Sequence, residues 1–129
     1  MSKDTKNWFI VITLLIVGFI ILLASQPAHG MSIQCVDGDT FAINGTYFRL
    51  SNVDTPEKGE KGYKEASDYT CRYIKHNKYK ITTYGFDKYH RTLADVGDLN
   101  INLINLCLAE PFYGKTTPQV LRLYRNNCK

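Results

Sequence analysis

Hydrophobic positions fall into two regimes along the chain. Trp8 to Leu23 reads WFIVITLLIVGFIILL, uncharged and interrupted only by Thr13 and Gly18, with Lys3 and Lys6 ahead of it. A core helix in a small domain keeps a polar face, and this run has none. It is longer than the usual apolar stretch of a secretory signal and just short of the ~20 residues that span a bilayer comfortably. Small residues at Ala28 and Gly30 are spaced as a cleavage site wants them. Residues 1–30 therefore read as a signal peptide, or as a single-pass anchor crossing the membrane through residues 8–25 if uncleaved. Either places residues 31–129 outside the cytoplasm, periplasmic, secreted or tethered.

Beyond residue 30 the pattern shortens and alternates. Ser32–Val36, Thr40–Ile43 and Thr46–Leu50 read as strands, separated by Asp37-Gly38-Asp39 and by Asn44-Gly45, the strongest short hairpin signal. Residues 51–62, SNVDTPEKGEKG, read as a loop punctuated by Pro56, Gly59 and Gly62. Tyr63–His76 carries Ala66, Tyr69, Thr70, Tyr73 and Ile74 at helical spacing. Lys78–Tyr84 and Thr92–Val96 predict a second hairpin, joined by Gly85–Arg91. Leu99, Leu103, Ile104 and Leu106 predict a helix to about Leu108, stopped by Pro111. Pro118 opens a last short helix. Five short strands, a helix after the third and another after the fifth fit a β-barrel with helices, a five-stranded OB-type barrel in the α+β class.

The chain has 129 residues and a net charge of +4, so its body is one small domain. It is too small for a dinucleotide-binding doubly wound sheet or a (β/α)₈ barrel. The mild positive excess permits a polyanionic partner without demanding one. Cys35, Cys71, Cys107 and Cys128 form no C-x-x-C pair, which argues against a zinc ribbon. An even count in an exported domain predicts two disulfides. Sequence does not choose among the three pairings; the pairing taken forward is Cys35 with Cys71 and Cys107 with Cys128.

Four carboxylates, Asp37, Asp39, Asp54 and Glu57, fall near two strand ends and can converge if those strands are neighbours. Oxygen donors of this kind suit Ca²⁺ or Mg²⁺. Arg49 lies in an otherwise apolar strand, where a charge needs a partner or an anionic ligand. Arg91 closes the polar corner Asp87-Lys88-Tyr89-His90. Two guanidinium groups, a divalent cation and a carboxylate together suit phosphodiester hydrolysis. Each feature alone has a plainer reading: Asp-Gly-Asp is a common turn, and Thr55-Pro56-Glu57 resembles a helix start.

In combination they are specific. Val36-Asp37-Gly38-Asp39-Thr40, Phe48-Arg49-Leu50, Val53-Asp54-Thr55-Pro56-Glu57, Glu65-Ala66-Ser67 and Asp87 through Ala94 resemble the staphylococcal nuclease family, over roughly residues 32–115. The resemblance implies an OB barrel and a monomeric Ca²⁺-dependent endonuclease that acts on DNA and RNA and leaves 3′-phosphate ends. By the same resemblance Asp39, Asp54 and the Thr55 carbonyl would hold Ca²⁺, and Asp37 would stand behind them. Glu57 would position or activate water. Arg49 and Arg91 would grip the scissile phosphate, and Lys88, Tyr89 and Tyr113 would contact the neighbouring phosphate and nucleotide. Glu57, Arg49 and Arg91 are expected at a solvent-facing cleft, where each can be removed without loss of the fold.

The chain departs from the best-known members of that family in a shorter hairpin between Thr40 and Arg49 and a shorter loop from Glu57 to Glu65. It carries His90 where most members carry glycine; a position that needs φ > 0 there would make histidine costly. The alternative to an enzyme is a catalytically inactive OB module that binds single-stranded nucleic acid, or a membrane or protein partner.

Overall fold

The computed structural model describes residues 3–27, 30–112 and 117–129. The chain divides into two compact units, Met1–Gly30 and Met31–Lys129. The first is helix α1, Lys3–Ala24. The helix extends beyond the apolar run to 22 residues, with a mean hydropathy of 2.7 over its most apolar stretch. At ~1.5 Å per residue this is about 33 Å, enough to cross a hydrocarbon core.

The second unit is a mixed five-stranded sheet with three helices. Its strands are β1 (Ile33–Cys35), β2 (Thr40–Ile43), β3 (Thr46–Leu50), β5 (Ile81–Phe86) and β6 (Thr92–Val96), in the order β1-β2-β3-β6-β5. The meander β1-β2-β3 is antiparallel, β3 and β6 are parallel, and β6 and β5 are antiparallel. This is the α+β arrangement expected of the sequence. Among the described residues no ladder joins β1 to β5, so the sheet is not closed by strand pairing.

Local chemistry sets these elements. Asn44 and Gly45 have φ of 49° and 81°, both positive, as a tight hairpin turn demands. The Asn44 side-chain oxygen accepts from the Ser32 N–H at 2.9 Å, which ties the hairpin tip to β1. Helix α2 (Tyr63–His76) buries Ala66, Thr70 and Ile74, one face at i, i+4, i+8. Phe41, Leu50, Val53, Ile74, Val96, Leu99, Leu103 and Ile104 are fully buried and form the core.

Two short strands, β4 (Val53–Asp54) and β7 (Glu110–Pro111), pair antiparallel inside segments that read as loop and helix stop. Neither has the length to leave a periodic signal. Helix α3 (Leu99–Asn105) ends before Leu108, where the pattern predicts its end. Cys107 takes φ 57°, its N–H donates to the Ile104 carbonyl, and the Leu108 N–H reaches the Leu103 carbonyl. That is a left-handed helix stop, formed without glycine. Strand β5 also starts and ends later than the pattern predicts, running through Phe86.

Both expected disulfides are present, Cys35–Cys71 and Cys107–Cys128. The first fastens β1 to α2. The second joins the end of α3 to helix α4 (Pro118–Cys128) across a separation of 21 residues. Replacing Cys107 and Cys128 together with serine should cost about 3 kcal/mol in the chain-entropy description. Urea unfolding under non-reducing conditions measures this; a change below about 1 kcal/mol would mean that the bond constrains little.

Candidate active site

The turn between β1 and β2 is built to bring Asp39 under the β3–β4 corner. The N–H groups of Val36 and Asp37 both donate to the Thr40 carbonyl, and the Asp39 N–H donates to Asp37 Oδ1 at 3.1 Å. A side chain at Gly38 would place its Cβ 2.7–2.8 Å from Thr55, so only glycine lets the two segments approach this closely. From the other side α2 holds the turn: the buried Thr70 hydroxyl donates to the Gly38 carbonyl at 2.6 Å. Asp39 is buried and accepts from the Thr55 N–H at 3.1 Å.

Arg49 reaches this carboxylate from β3. Its Nη2 lies 3.2 Å from Asp39 Oδ2 and 3.2 Å from Asp54 Oδ1, while Nη1 donates to the Leu50 and Val53 carbonyls at 2.7 Å each. The side chain is only 14% exposed. The expectation that Arg49 is dispensable to the fold is therefore corrected. Truncating it leaves the buried Asp39 uncompensated and two carbonyls unbonded, a cost of about 3–5 kcal/mol.

Arg91 enters from the β5–β6 corner. Its Nε donates to Asp87 Oδ2 at 2.7 Å and its Nη1 to the Thr40 hydroxyl at 3.1 Å. That hydroxyl in turn donates to Asp39 Oδ1 at 3.1 Å. A continuous polar network thus runs Arg91–Thr40–Asp39–Arg49–Asp54. The Asp87 carboxylate organises the corner, accepting from the N–H groups of Tyr89 and Arg91 at 2.9 Å each. Partial burial raises its pKa, but these donors and the guanidinium outweigh that and hold the carboxyl below its usual range. The corner closes only with φ 62° at His90, a backbone conformation that favours glycine. Histidine tolerates that conformation better than bulkier residues do.

The predicted carboxylates are in unequal surroundings. Burial, then the nearby Asp39, pushes Asp37 up to about 6. Asp54 is raised by burial, partly offset by Arg49, with Asp39, Glu110 and Glu60 adding to the rise. Glu110, opposite Asp54 in the β4–β7 pair, is held by the Tyr124 hydroxyl at 2.9 Å. Glu57 is exposed, and its N–H donates to Glu60 Oε2 at 2.7 Å. Among the described residues its carboxylate makes no hydrogen bond or ion pair with the network. Tyr113 lies outside the described residues.

Two carboxylates, Asp39 and Asp54, converge on one guanidinium nitrogen, with Asp37 close behind. Among the described residues no group of three or more His, Cys, Asp or Glu side chains forms a ready-made cage. The set nevertheless fits a hard cation: oxygen donors only, more negative charge than one arginine neutralises, and an accessible Asp54 to complete it. Beside the network is a cavity of about 560 Å³ lined by Arg49, Arg91, Asp87, Lys88, Tyr89 and Leu93, together with Phe86 and Phe112. Thr40, Asp87, Glu110 and these two phenylalanines carry no assigned role on sequence alone. The i, i+4 spacing of Asp87 and Arg91 was the one available signal.

The family model described as staphylococcal nuclease homologue matches residues 47–119, more than half the chain. Compared with curated proteins, the chain matches none.

Asp37 supplies a pH test of this geometry. In chelator its folded pKa of about 6 stands above the ordinary 3.8. Its favourable contribution is complete below about pH 4 and is lost as pH rises to about 6. Asp37→Asn should therefore stabilise the chelated protein at pH 7 and have no such effect near pH 4, by urea unfolding at both. Equal effects at the two pH values would place Asp37 in ordinary solvent.

Proposed function

From a chain that belongs to the staphylococcal nuclease homologue family, we propose a phosphodiesterase: a Ca²⁺-dependent endonuclease of DNA and RNA leaving 3′-phosphate ends. The observation that carries the reading is the network Arg91–Thr40–Asp39–Arg49–Asp54, whose two arginines line one cavity. An inactive binding module has no need of two carboxylates held on one arginine with a second arginine linked to them through Thr40. The apolar α1 and the two disulfides support an exported body, freed by cleavage of residues 1–30 or tethered through residues 8–25.

Each residue has work suited to its surroundings. Asp39, Asp54 and the Thr55 carbonyl would hold Ca²⁺, which when bound supplies positive charge to a phosphate oxygen. Arg91 is oriented by Asp87 and Thr40, so its remaining N–H donors are available to a phosphate without rearrangement. Arg49 shares its charge between the carboxylates and the phosphate. Among the described residues Glu57 pairs with no cation, and it is accessible, which suits a group that orients or deprotonates water. Lys88 and Tyr89 border the cavity where the adjoining nucleotide would lie. By the family resemblance Tyr113, outside the described residues, would contact the same nucleotide.

The test is cleavage of DNA and RNA by the full chain in Ca²⁺ and in chelator. Activity should appear only with the metal, and Glu57→Gln and Arg91→Ala should each lower turnover by about a hundredfold or more. Arg49→Ala is the weaker probe because its fold is compromised. Full activity in chelator would remove the metal assignment, and wild-type turnover in folded Arg91→Ala would remove the site.

A further inference from the structure

The cavity has a wall that phosphate binding does not use. Phe86 is 71% exposed at the end of β5, and Phe112, also exposed, lines the same space. Exposed phenylalanine beside a sheet edge favours association and is retained at a cost unless something covers it. Its position is the result of a break in the ladder. Thr83 pairs with Ala94, and a regular ladder would then set Gly85 opposite Thr92. A bulge puts Phe86 there instead, with Gly85 at φ 101°. A one-residue slip of this kind reverses the direction of the side chains that follow.

The Tyr89 ring at the rim is already occupied. Lys88 Nζ lies 5.0 Å and Arg91 Cζ 5.4 Å from the centroid of the Tyr89 ring. Among the described residues neither an aromatic nor a cationic group stacks on Phe86. The cavity thus combines guanidinium and ammonium groups with an uncovered flat apolar ring. A planar, weakly polar group attached to a phosphate meets both demands.

We propose that Phe86 is a specificity-determining residue: it stacks an unpaired base of a single-stranded nucleic acid whose phosphate is held by Arg49 and Arg91. The inference rests on the nuclease reading and adds to it a base position and a strand preference at that position. A base in a duplex is stacked on its neighbours and offers Phe86 no face.

The experiment measures Ca²⁺-supported cleavage by the full chain in detergent micelles. The substrates are a labelled single-stranded oligodeoxynucleotide and the same sequence fully paired. Phe86→Ala should raise KM for the single strand by about tenfold or more, as loss of one base stack does, with little of the effect on kcat. Phe86→Trp should restore the wild-type KM, Phe86→Leu should not, and the duplex should be far less affected by all three. Rescue by leucine, an equal loss on both substrates, or an unchanged KM in Phe86→Ala would each overturn the stacking role. Wild-type cleavage with an unaffected Phe86→Ala rejects this inference alone. Failure of the wild type to cleave or bind either substrate rejects it together with the nuclease reading.

Discussion

One guanidinium organises this domain. Arg49 is nearly buried, and it sits between the Asp39 and Asp54 carboxylates while donating to the carbonyls of Leu50 and Val53. Without it the corner between β3 and β4 would bury two unbonded carbonyls, and Asp39 would be a buried charge with no cation. With it, the chain can turn sharply at Asn52, where φ is 60°, and present Asp54 at the surface. The same contacts that stabilise the corner place two carboxylates and an arginine around one point. Structure and proposed chemistry therefore depend on the same atoms.

The rest of the body supports that arrangement from behind. Helix α2 is fastened to β1 by Cys35–Cys71, and one residue away Thr70 holds the Gly38 carbonyl. The turn carrying Asp37 and Asp39 is thus clamped between a helix and Thr55. The β3–β6 parallel pair brings Arg49 opposite Leu93, two residues beyond Arg91. Segments 42 residues apart in sequence are thereby made neighbours, and the Thr40 hydroxyl bridges them. On the far side, Tyr124 of α4 steadies Glu110 beside Asp54, and Cys107–Cys128 keeps α4 in place.

Much of this was legible in the residues. Asn44-Gly45 fixed a hairpin, and the Ala66, Thr70, Ile74 spacing fixed α2 to the residue, because local turn geometry and a single buried face decide both. The carboxylates and arginines that the fold brings together could be singled out because their order along the chain is specific, even though each is unremarkable alone. What remained hidden depends on tertiary contact. The β4–β7 pair is too short for a periodic pattern, and Cys107 stops α3 in a conformation usually left to glycine. Arg49 reads as a cleft residue because sequence does not show which carbonyls a guanidinium will cover. Phe86 reads as part of a loop because a bulge is invisible to alternation.

The central claim is that Asp39 and Asp54, held together through Arg49, form a site for one hard cation. Calorimetric titration of Ca²⁺ into the full chain in detergent micelles tests it most directly. The account predicts one binding site per chain, lost or severely weakened in both Asp39→Asn and Asp54→Asn while each variant remains folded. Ca²⁺ binding of unchanged affinity in both variants, or no binding by the wild-type chain, would contradict it.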